Sequence, residues 1–170
     1  IVDPNYTPFD GERFATLSDY READVMLVSH GHFDHCQDAP AIARAGAMGV
    51  VTSPPLKSLI VKKAGIDEGR VHGVGDGDVV EVAGVRVEVH GWLHRSLIDR
   101  WPRLLASRPA GLLRMRAALR GFLTSPLLGF RLTPAGAPPV TVIGEAFHGQ
   151  TDLERVELMG RAAEPGVALI

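Results

Sequence analysis

Four side chains that can ligate a metal ion lie within six residues, in the run His30-Gly31-His32-Phe33-Asp34-His35. Side chains two positions apart on an extended backbone point to the same side, so His30 and His32 can converge on one ion as a pair of imidazole ligands. Asp34 and His35 would diverge on a continuing strand, so the backbone must turn if both are to face a site. A carboxylate beside an imidazole would then suit a second ion about 3.5–4 Å away, as in two-metal hydrolytic centres. The alternative is a polar surface loop that is rich in histidine by chance.

The apolar residues just before this run predict the strand that would position it. Val25-Met26-Leu27-Val28 form the continuous apolar centre of a strand over 24–29, as in a sheet covered on both faces. The elements expected next are a helix over 38–46, a strand over 49–52 and a helix over 56–64. Asp38 can cap the first of these helices, and Gly65 follows the second in the usual position beyond a helix end. The ligand run therefore lies between a strand and a helix.

The hydrophobic pattern changes after Arg70. Short Val-rich runs at 71–74, 79–82 and 85–89 are separated by glycine-containing turn signals, and they predict a β-meander. The elements expected after it are a hairpin over 130–132 and 140–143, a helix over 153–161 and a strand over 166–170. Helices alternating with strands predict an α/β architecture in which sheets are covered by helices.

The ligand run also resembles the His-x-His-x-Asp-His signature of the metallo-β-lactamase superfamily of metal-dependent hydrolases. The resemblance implies an αββα sandwich of the α+β kind, with two sheets face to face, helices outside and the metals at one edge. It implies a single hydrolase domain over residues 1–170. Neither the first hairpin nor the last ligand strand of that fold is visible in the sequence. We therefore expect an excerpt of a longer protein, incomplete at both ends.

The resemblance extends the ligand set beyond the run. His94 follows the strand predicted at 85–89 and occupies the place of the histidine that completes the first metal site. Glu145 occupies the place of an aspartate that bridges both ions. The implied ligands are His30, His32 and His94 for the first ion, and Asp34, His35 and Glu145 for the second. Asp34 is also the implied catalytic residue.

Glu145 is the main departure from the family pattern, which has an aspartate followed by threonine or serine. The Glu145 side chain is one methylene longer than aspartate, and the next residue, Ala146, lacks a hydroxyl group. Glutamate can ligate Zn²⁺ or a harder ion, but the longer side chain must fold back or the ions must shift. An altered metal preference, weaker occupancy of the second site and a degenerate enzyme all remain open.

Four other residues have competing interpretations. Asp3 either contacts a ligating histidine and fixes its tautomer, or caps a turn. His90 is expected to be a hydrogen-bonded residue at a strand end rather than a ligand. His148 is either a ligand of the second ion or a residue at the rim of the site. Cys36 is expected to pack as a small apolar side chain.

A basic segment, residues 95–127, separates His94 from the next predicted strand. It carries seven arginines against Asp99 alone, a local charge of +6 in a chain with a net charge of -2. Leucines alternate with the arginines as in an amphipathic helical pair that is broken at Pro109. Three interpretations stay open: a solvated helical decoration, a lid that gathers a small anionic substrate, and contact with a membrane surface or anionic lipid.

Composition limits the class of protein. A chain of 170 residues with 45% hydrophobic and 22% charged residues can bury one core, and its overall charge gives no argument for nucleic-acid binding. The single cysteine excludes an internal disulfide and fits a reducing compartment. The sequence contains no long apolar span and no signal-peptide pattern. These features predict a cytoplasmic protein.

The predicted function is metal-dependent hydrolysis. Two divalent ions, Zn²⁺ first and Mn²⁺ or Fe²⁺ as alternatives, would share a hydroxide that attacks an ester, lactone or phosphoester, with an anionic molecule as the expected substrate. One alternative is a non-catalytic or regulatory metal-binding descendant with a degenerate second site. A further alternative is a nuclease, although the arginines lack the aromatic platforms expected for binding single strands.

Overall fold

Two β-sheets face each other in this computed structural model, which describes residues 1–7, 15–92 and 126–143, the helical positions 154 and 157, and the backbone of strand 167–169. The first sheet contains three parallel strands in the order β1 (Val25–Val28), β2 (Gly49–Thr52) and β3 (Val71–Gly73). Val2 adds a parallel bridge on the free side of β1, opposite Leu27. The chain therefore passes the same sheet edge each time one of these strands ends.

Three helices connect or follow these strands: α1 (Phe33–Cys36), α2 (Ala39–Ala45) and α3 (Pro54–Ala64). Short 3₁₀ turns lie at Leu17–Tyr20 and Glu68–Arg70. Pro40 lies in the first turn of α2, and α3 begins with two prolines. Proline is tolerated there because an N–H group in the first turn of a helix has no hydrogen-bond partner within the helix. Gly65 ends α3 in the left-handed conformation, with φ of 64°, as its place in the sequence predicts.

Among the described residues, the second sheet has five strands in chain order. These are β4 (Val79–Val82), β5 (Val85–Trp92), β6 (Leu127–Pro134), β7 (Val140–Ile143) and β8 (Val167–Leu169). Neighbouring strands are antiparallel except β7 and β8, which run parallel. Ala83 and Gly84 both have positive φ between β4 and β5, as the tight hairpin predicted there requires.

The core lies in two layers, one on each face of the first sheet. Met26 and Val28 of β1 pack against α2 and α3, in a cluster that includes Ile42 and Ile60. Leu27, which points the other way, packs against Phe130 of the second sheet. Strand β1 is therefore buried on both faces, as its continuous apolar sequence predicts. Among the described residues, this arrangement matches the αββα sandwich in its two facing sheets and in one outer helical layer, formed by α2 and α3.

Most elements predicted from sequence are present, but the β-meander is wrong at its first strand. The run beginning at Val71 pairs in parallel with β2 and completes the first sheet, while the meander begins at β4. The residues between them, 75–78, cross from one sheet to the other: Val74 N donates to Thr52 O, whereas Gly77 N donates to Val89 O. A turn signal marks where a strand ends, but it does not select the strand's partner.

The two sheets meet at the edge where the ligand run begins. Leu128 N in β6 donates to Ser29 O, 3.0 Å away, just beyond the end of β1. Strand β5 ends at Trp92, which pairs with Leu127, so the described residues on either side of positions 93–125 lie at this edge. Strand β6 begins at Leu127, the residue predicted to be the last of that segment, and positions 93–125 lie outside the described residues.

Candidate metal centre

The ligand run begins immediately after β1 and turns as the chemistry requires. His32 is extended, with φ of -67° and ψ of 145°, and the backbone then turns into the short helix α1 at Phe33. Because of this turn, Asp34 and His35 lie on a helix rather than on opposite faces of a strand. The predicted change of backbone direction before these two residues is confirmed.

The three imidazole rings of the run form a cluster around His30. The ring centroids of His30 and His32 are 4.4 Å apart, those of His30 and His35 are 4.2 Å apart, and those of His32 and His35 are 6.5 Å apart. His30 is only 1% exposed, and the Nε2 atoms of His30 and His32 are both buried. His30 therefore lies inside the protein, with the half-buried rings of His32 and His35 beside it, and the run is not a polar surface loop.

The carboxylate of the run lies beside the outermost ring. His35 Nε2 is 3.8 Å from Asp34 Oδ2, and the Asp34 side chain is 48% exposed. Two donor atoms that each lie about 2.0–2.2 Å from one ion can be at most about 4.4 Å apart. The spacing of these two atoms is therefore compatible with one shared ion on the solvent side of the cluster.

Asp3 is hydrogen-bonded to this cluster through Ser29 and His35. Its Oδ1 accepts a hydrogen bond from Ser29 N (2.7 Å), and its Oδ2 accepts from Ser29 Oγ (2.5 Å) and His35 Nδ1 (2.9 Å). Ser29 Oγ is in turn 2.8 Å from His30 Nδ1. The prediction that Asp3 contacts a candidate ligand histidine is confirmed, and the contact leaves His35 Nε2 to face Asp34.

These residues fit a divalent metal ion. One possible donor atom from each of Asp3, His30 and His35 lies within 4.8 Å of the others. Imidazole nitrogen with carboxylate oxygen is a donor set used by Zn²⁺ and also suited to Mn²⁺ and Fe²⁺. Because both oxygens of Asp3 already accept hydrogen bonds, we interpret Asp3 as a partner of the ligands, a common arrangement around metal-binding histidines.

Comparison with known proteins identifies the family. Residues 1–104, more than half of the chain, match the family model for the beta-lactamase superfamily domain. The chain belongs to the β-lactamase superfamily. A metal-dependent hydrolase from Roseiflexus sp. (strain RS-1) is 29% identical over 129 residues, which is 74% of this chain and 49% of that protein. This superfamily chain therefore spans about half the length of that relative.

Solved structures confirm the fold. A metallo hydrolase from the archaeon Ignicoccus hospitalis aligns with a TM-score of 0.65 at 17% identity, covering 99% of this chain and 60% of that protein. A possible metal-dependent hydrolase from Veillonella parvula aligns with a TM-score of 0.55 at 18% identity, covering 93% of this chain and 60% of that protein. At these identities the similarity establishes the metallo-β-lactamase fold. The fold predicted from the ligand run is thus confirmed.

Two predicted ligands of this superfamily chain, His94 and Glu145, lie outside the described residues, as does His148. The strands that lead to them are described. Strand β5 ends two residues before His94, and β7 ends two residues before Glu145. Ile143 pairs with Gly129, and the residue before Gly129, Leu128, bonds Ser29. Both strands therefore end near the histidine cluster, and the roles of His94 and Glu145 as ligands stay predictions.

A second contact beside the site was not predicted. Asp38, at the start of α2, makes no capping bond with its side chain; instead its carboxylate accepts from Tyr6 N (2.8 Å), Thr7 N (2.7 Å) and Thr7 Oγ1 (2.6 Å). Asn5 Nδ2 also donates to Asp34 O. The prediction that Asp38 caps α2 is therefore wrong, because its carboxylate accepts hydrogen bonds from residues 6 and 7 instead. Residues 5–7 form a strap over the ligand run.

The remaining predicted residues have ordinary structural roles where the structure describes them. Cys36 is buried in the apolar cluster beneath α2, and burial raises the pKa of its thiol to about 11, so it packs as predicted. His90 lies within β5 opposite Gly129, two residues before the strand ends. Ser29 was missed as a site residue. The signal that could have found it is a hydroxyl at the end of a fully buried strand, where a polar side chain needs a partner.

Proposed function

We propose that this chain is the metal-binding part of a hydrolase that acts on an anionic ester, lactone or phosphoester. The observation that carries the proposal is the cluster of the buried His30 with the half-buried His32 and His35 at the edge where the two sheets meet. Burying several imidazoles together is costly unless each finds a polar partner or an ion. A hydrolytic metal centre is a use of such a cluster that also explains the exposed carboxylate of Asp34 beside it.

Each residue has a proposed role. His30 and His32, with His94, would hold a first ion, and His35 and Asp34, with Glu145, would hold a second. When bound, the metals supply a water of lowered pKa and polarise the acceptor oxygen of the substrate. Asp34 is the one carboxylate of the run, and its side chain is 48% exposed. It can therefore orient a water and accept its proton as substrate enters.

The anionic character of the substrate is proposed from charge. The seven arginines between residues 95 and 120 lie in the sequence between Trp92 and Leu127, two residues that pair with each other at the edge that carries the histidines. Arginine can bind a carboxylate or phosphate with two parallel hydrogen bonds.

No helix in the described parts of the chain is long and apolar enough to cross a membrane.

Metal content and substrate range test this proposal together. The protein is purified, saturated with Zn²⁺, Mn²⁺ or Fe²⁺ in separate samples, freed of excess ion, and analysed for bound metal per chain. It is then assayed with a neutral ester, an anionic ester, a lactone and a phosphodiester. Near two ions per chain and hydrolysis of at least one substrate support the hydrolase. Near zero ions in all samples would overturn it, and metal without hydrolysis would favour the non-catalytic descendant.

The arginine segment has its own test. Charge-removing changes at Arg114 and Arg116 should raise KM for the anionic ester and leave KM for the neutral ester nearly unchanged. The difference from wild type should shrink as salt is added, because physiological salt screens charge over about 8–10 Å. If both esters respond alike, the segment does not gather anions, and the solvated helical decoration is the better interpretation.

A further inference from the structure

We propose that Ser29 is a positioning residue that sets the tautomer of His30 and links both halves of the metal centre to the single carboxylate of Asp3. The proposal rests on the proposed function, because it concerns how the candidate ligands are presented to an ion. It adds to the centre a residue that is not itself a ligand and that the ligand signature does not include.

The direction of the hydrogen bonds follows from the chemistry of the groups. A carboxylate only accepts hydrogen bonds, so the contact of 2.5 Å between Ser29 Oγ and Asp3 Oδ2 uses the hydroxyl proton of Ser29. Ser29 Oγ can then only accept from His30 Nδ1, 2.8 Å away. This places the proton of the neutral His30 ring on Nδ1 and the lone pair on Nε2. The buried Nε2 atom is thus the one whose lone pair would face a metal.

The tautomer of His35 is fixed in the same way, but by direct contact with Asp3. Its Nδ1 lies 2.9 Å from the same Asp3 Oδ2, so a proton on Nδ1 leaves the lone pair on Nε2, the atom nearest Asp34. One carboxylate oxygen therefore orients two rings that belong to different proposed metal positions. Asp3 acts on His35 directly, and it acts on His30 through Ser29.

The surroundings of Ser29 leave this hydroxyl little freedom to turn elsewhere. Ser29 is fully buried, its N–H donates to Asp3 Oδ1, and its carbonyl accepts from Leu128 N of the second sheet. Asp3 has a positive φ of 42°, a left-handed conformation that is uncommon for residues other than glycine. Such strain is kept when surrounding contacts require it, and here it brings both carboxylate oxygens to Ser29.

Removal of the Ser29 hydroxyl should therefore change the free energy of metal binding more than the free energy of unfolding. Partners that fix the ring of a ligating histidine typically change metal affinity by about 10–100-fold. Ser29→Ala is expected to lower affinity for the tighter-bound ion by that factor, while Ser29→Thr, which keeps the hydroxyl, should restore most of it. Thr52→Val is a matched control, because Thr52 is a fully buried hydroxyl on the neighbouring strand that bonds Val28 O and no histidine.

Two measurements test the proposal. Metal affinity is obtained by competition with a chromogenic chelator for wild type and the three variants. The tautomer of His30 is read by long-range proton–nitrogen correlation spectra of metal-free wild type above the pH at which its histidines titrate, which requires no variant. A proton on Nδ1 and a loss confined to Ser29→Ala support the proposal. A proton on Nε2, equal losses in Ser29→Ala and Thr52→Val, or a Ser29→Thr protein as weak as Ser29→Ala would overturn it.

The proposal and the proposed function fail in different ways. If wild type binds no metal, the proposed function fails, whereas the tautomer measurement still decides whether Ser29 orients His30. If wild type binds two ions and Ser29→Ala binds them equally well, the proposed function stands and the positioning role of Ser29 is wrong.

Discussion

The edge of the first sheet and the outer face of the second sheet hold their polar side chains in opposite ways. At the edge, Ser29 and His30 are almost completely buried and bond to Asp3 and to each other. On the outer face, Glu88 forms ion pairs with Arg86 (2.7 Å) and Arg131 (3.4 Å), and the side chains of Glu88, Arg86 and Arg131 are 28%, 56% and 12% exposed. The polar groups at the edge are enclosed and joined by hydrogen bonds, whereas the ion pairs on the outer face reach solvent through Arg86 and Glu88.

The difference separates polar groups that contribute little to stability from buried polar groups that need a further explanation, such as metal binding. A buried polar group costs free energy unless it is hydrogen-bonded, and a network of such groups is worth keeping only if every member has a partner. Exposed ion pairs cost little to form and contribute little, with typical values of about 0–1 kcal/mol. We therefore expect substitutions at the edge to change metal binding and function, and substitutions on the outer face to change almost nothing.

The largest effect is expected from His32→Ala. If His32 is a ligand of the first ion, its loss should remove at least one bound metal per chain and nearly all hydrolysis. The fold should persist, because the apolar clusters on both faces of the first sheet do not include His32. Metal analysis, circular dichroism and the ester assay measure these three quantities.

His72→Ala is the control for this substitution. His72 is a half-buried histidine on β3 of the same sheet, outside the ligand run. It should keep full metal content and activity. Unchanged metal content in His32→Ala would remove His32 from the ligand set and would weaken the distinction drawn between the two regions.

Substitutions at Glu145 test whether a residue that follows β7 of the second sheet also contributes a ligand to the metal centre. Glu145→Ala should lower occupancy of the second ion, since one of its proposed ligands is lost, and Glu145→Asp should preserve or raise it, since the family has aspartate there. Metal per chain, measured after dialysis against a weak chelator, distinguishes the three proteins. Equal occupancy in all three would place Glu145 outside the centre.

A change in stability without direct loss of a ligand is expected from Asp38→Ala. The substitution removes the acceptor for three hydrogen bonds from the strap at residues 5–7, and Asp38 is 6% exposed. The free energy of unfolding in urea should fall by about 2–3 kcal/mol, the usual range for losing hydrogen bonds to a charged group. Asp78→Ala, which removes an exposed carboxylate that accepts a hydrogen bond from Gly75 N in its turn, should have a much smaller effect. Equal losses in the two variants would mean that the strap does not stabilise this region.

The smallest effect is expected from Glu88→Gln. It breaks both ion pairs on the outer face, yet the free energy of unfolding should change by less than about 1 kcal/mol. Metal content and activity should be unchanged. A loss comparable to that of Asp38→Ala would show that the outer face is not the weakly coupled surface that its exposure indicates.

The sequence alone predicts the elements that depend on local pattern. Continuous apolar residues before His30 predict β1, the prolines at 54 and 55 and Gly65 predict the limits of α3, and Ala83-Gly84 predicts a tight hairpin. The ligand run is equally local, since its spacing and the turn it requires lie within six residues. These features are readable because the side chains that determine them are neighbours in the chain.

Tertiary structure alone decided which distant groups meet. Val71 begins a strand whose sequence would fit either sheet, and its place beside β2 depends on the helix that returns the chain in parallel. Asp38 has the sequence position of a helix cap, but it bonds to residues 31 and 32 positions earlier in the chain. Asp3 and Ser29 are 26 positions apart, and nothing in either local sequence indicates their contact. A donor or acceptor can be satisfied by any suitable group, so its partner depends on the packing of the whole fold rather than on the residues beside it.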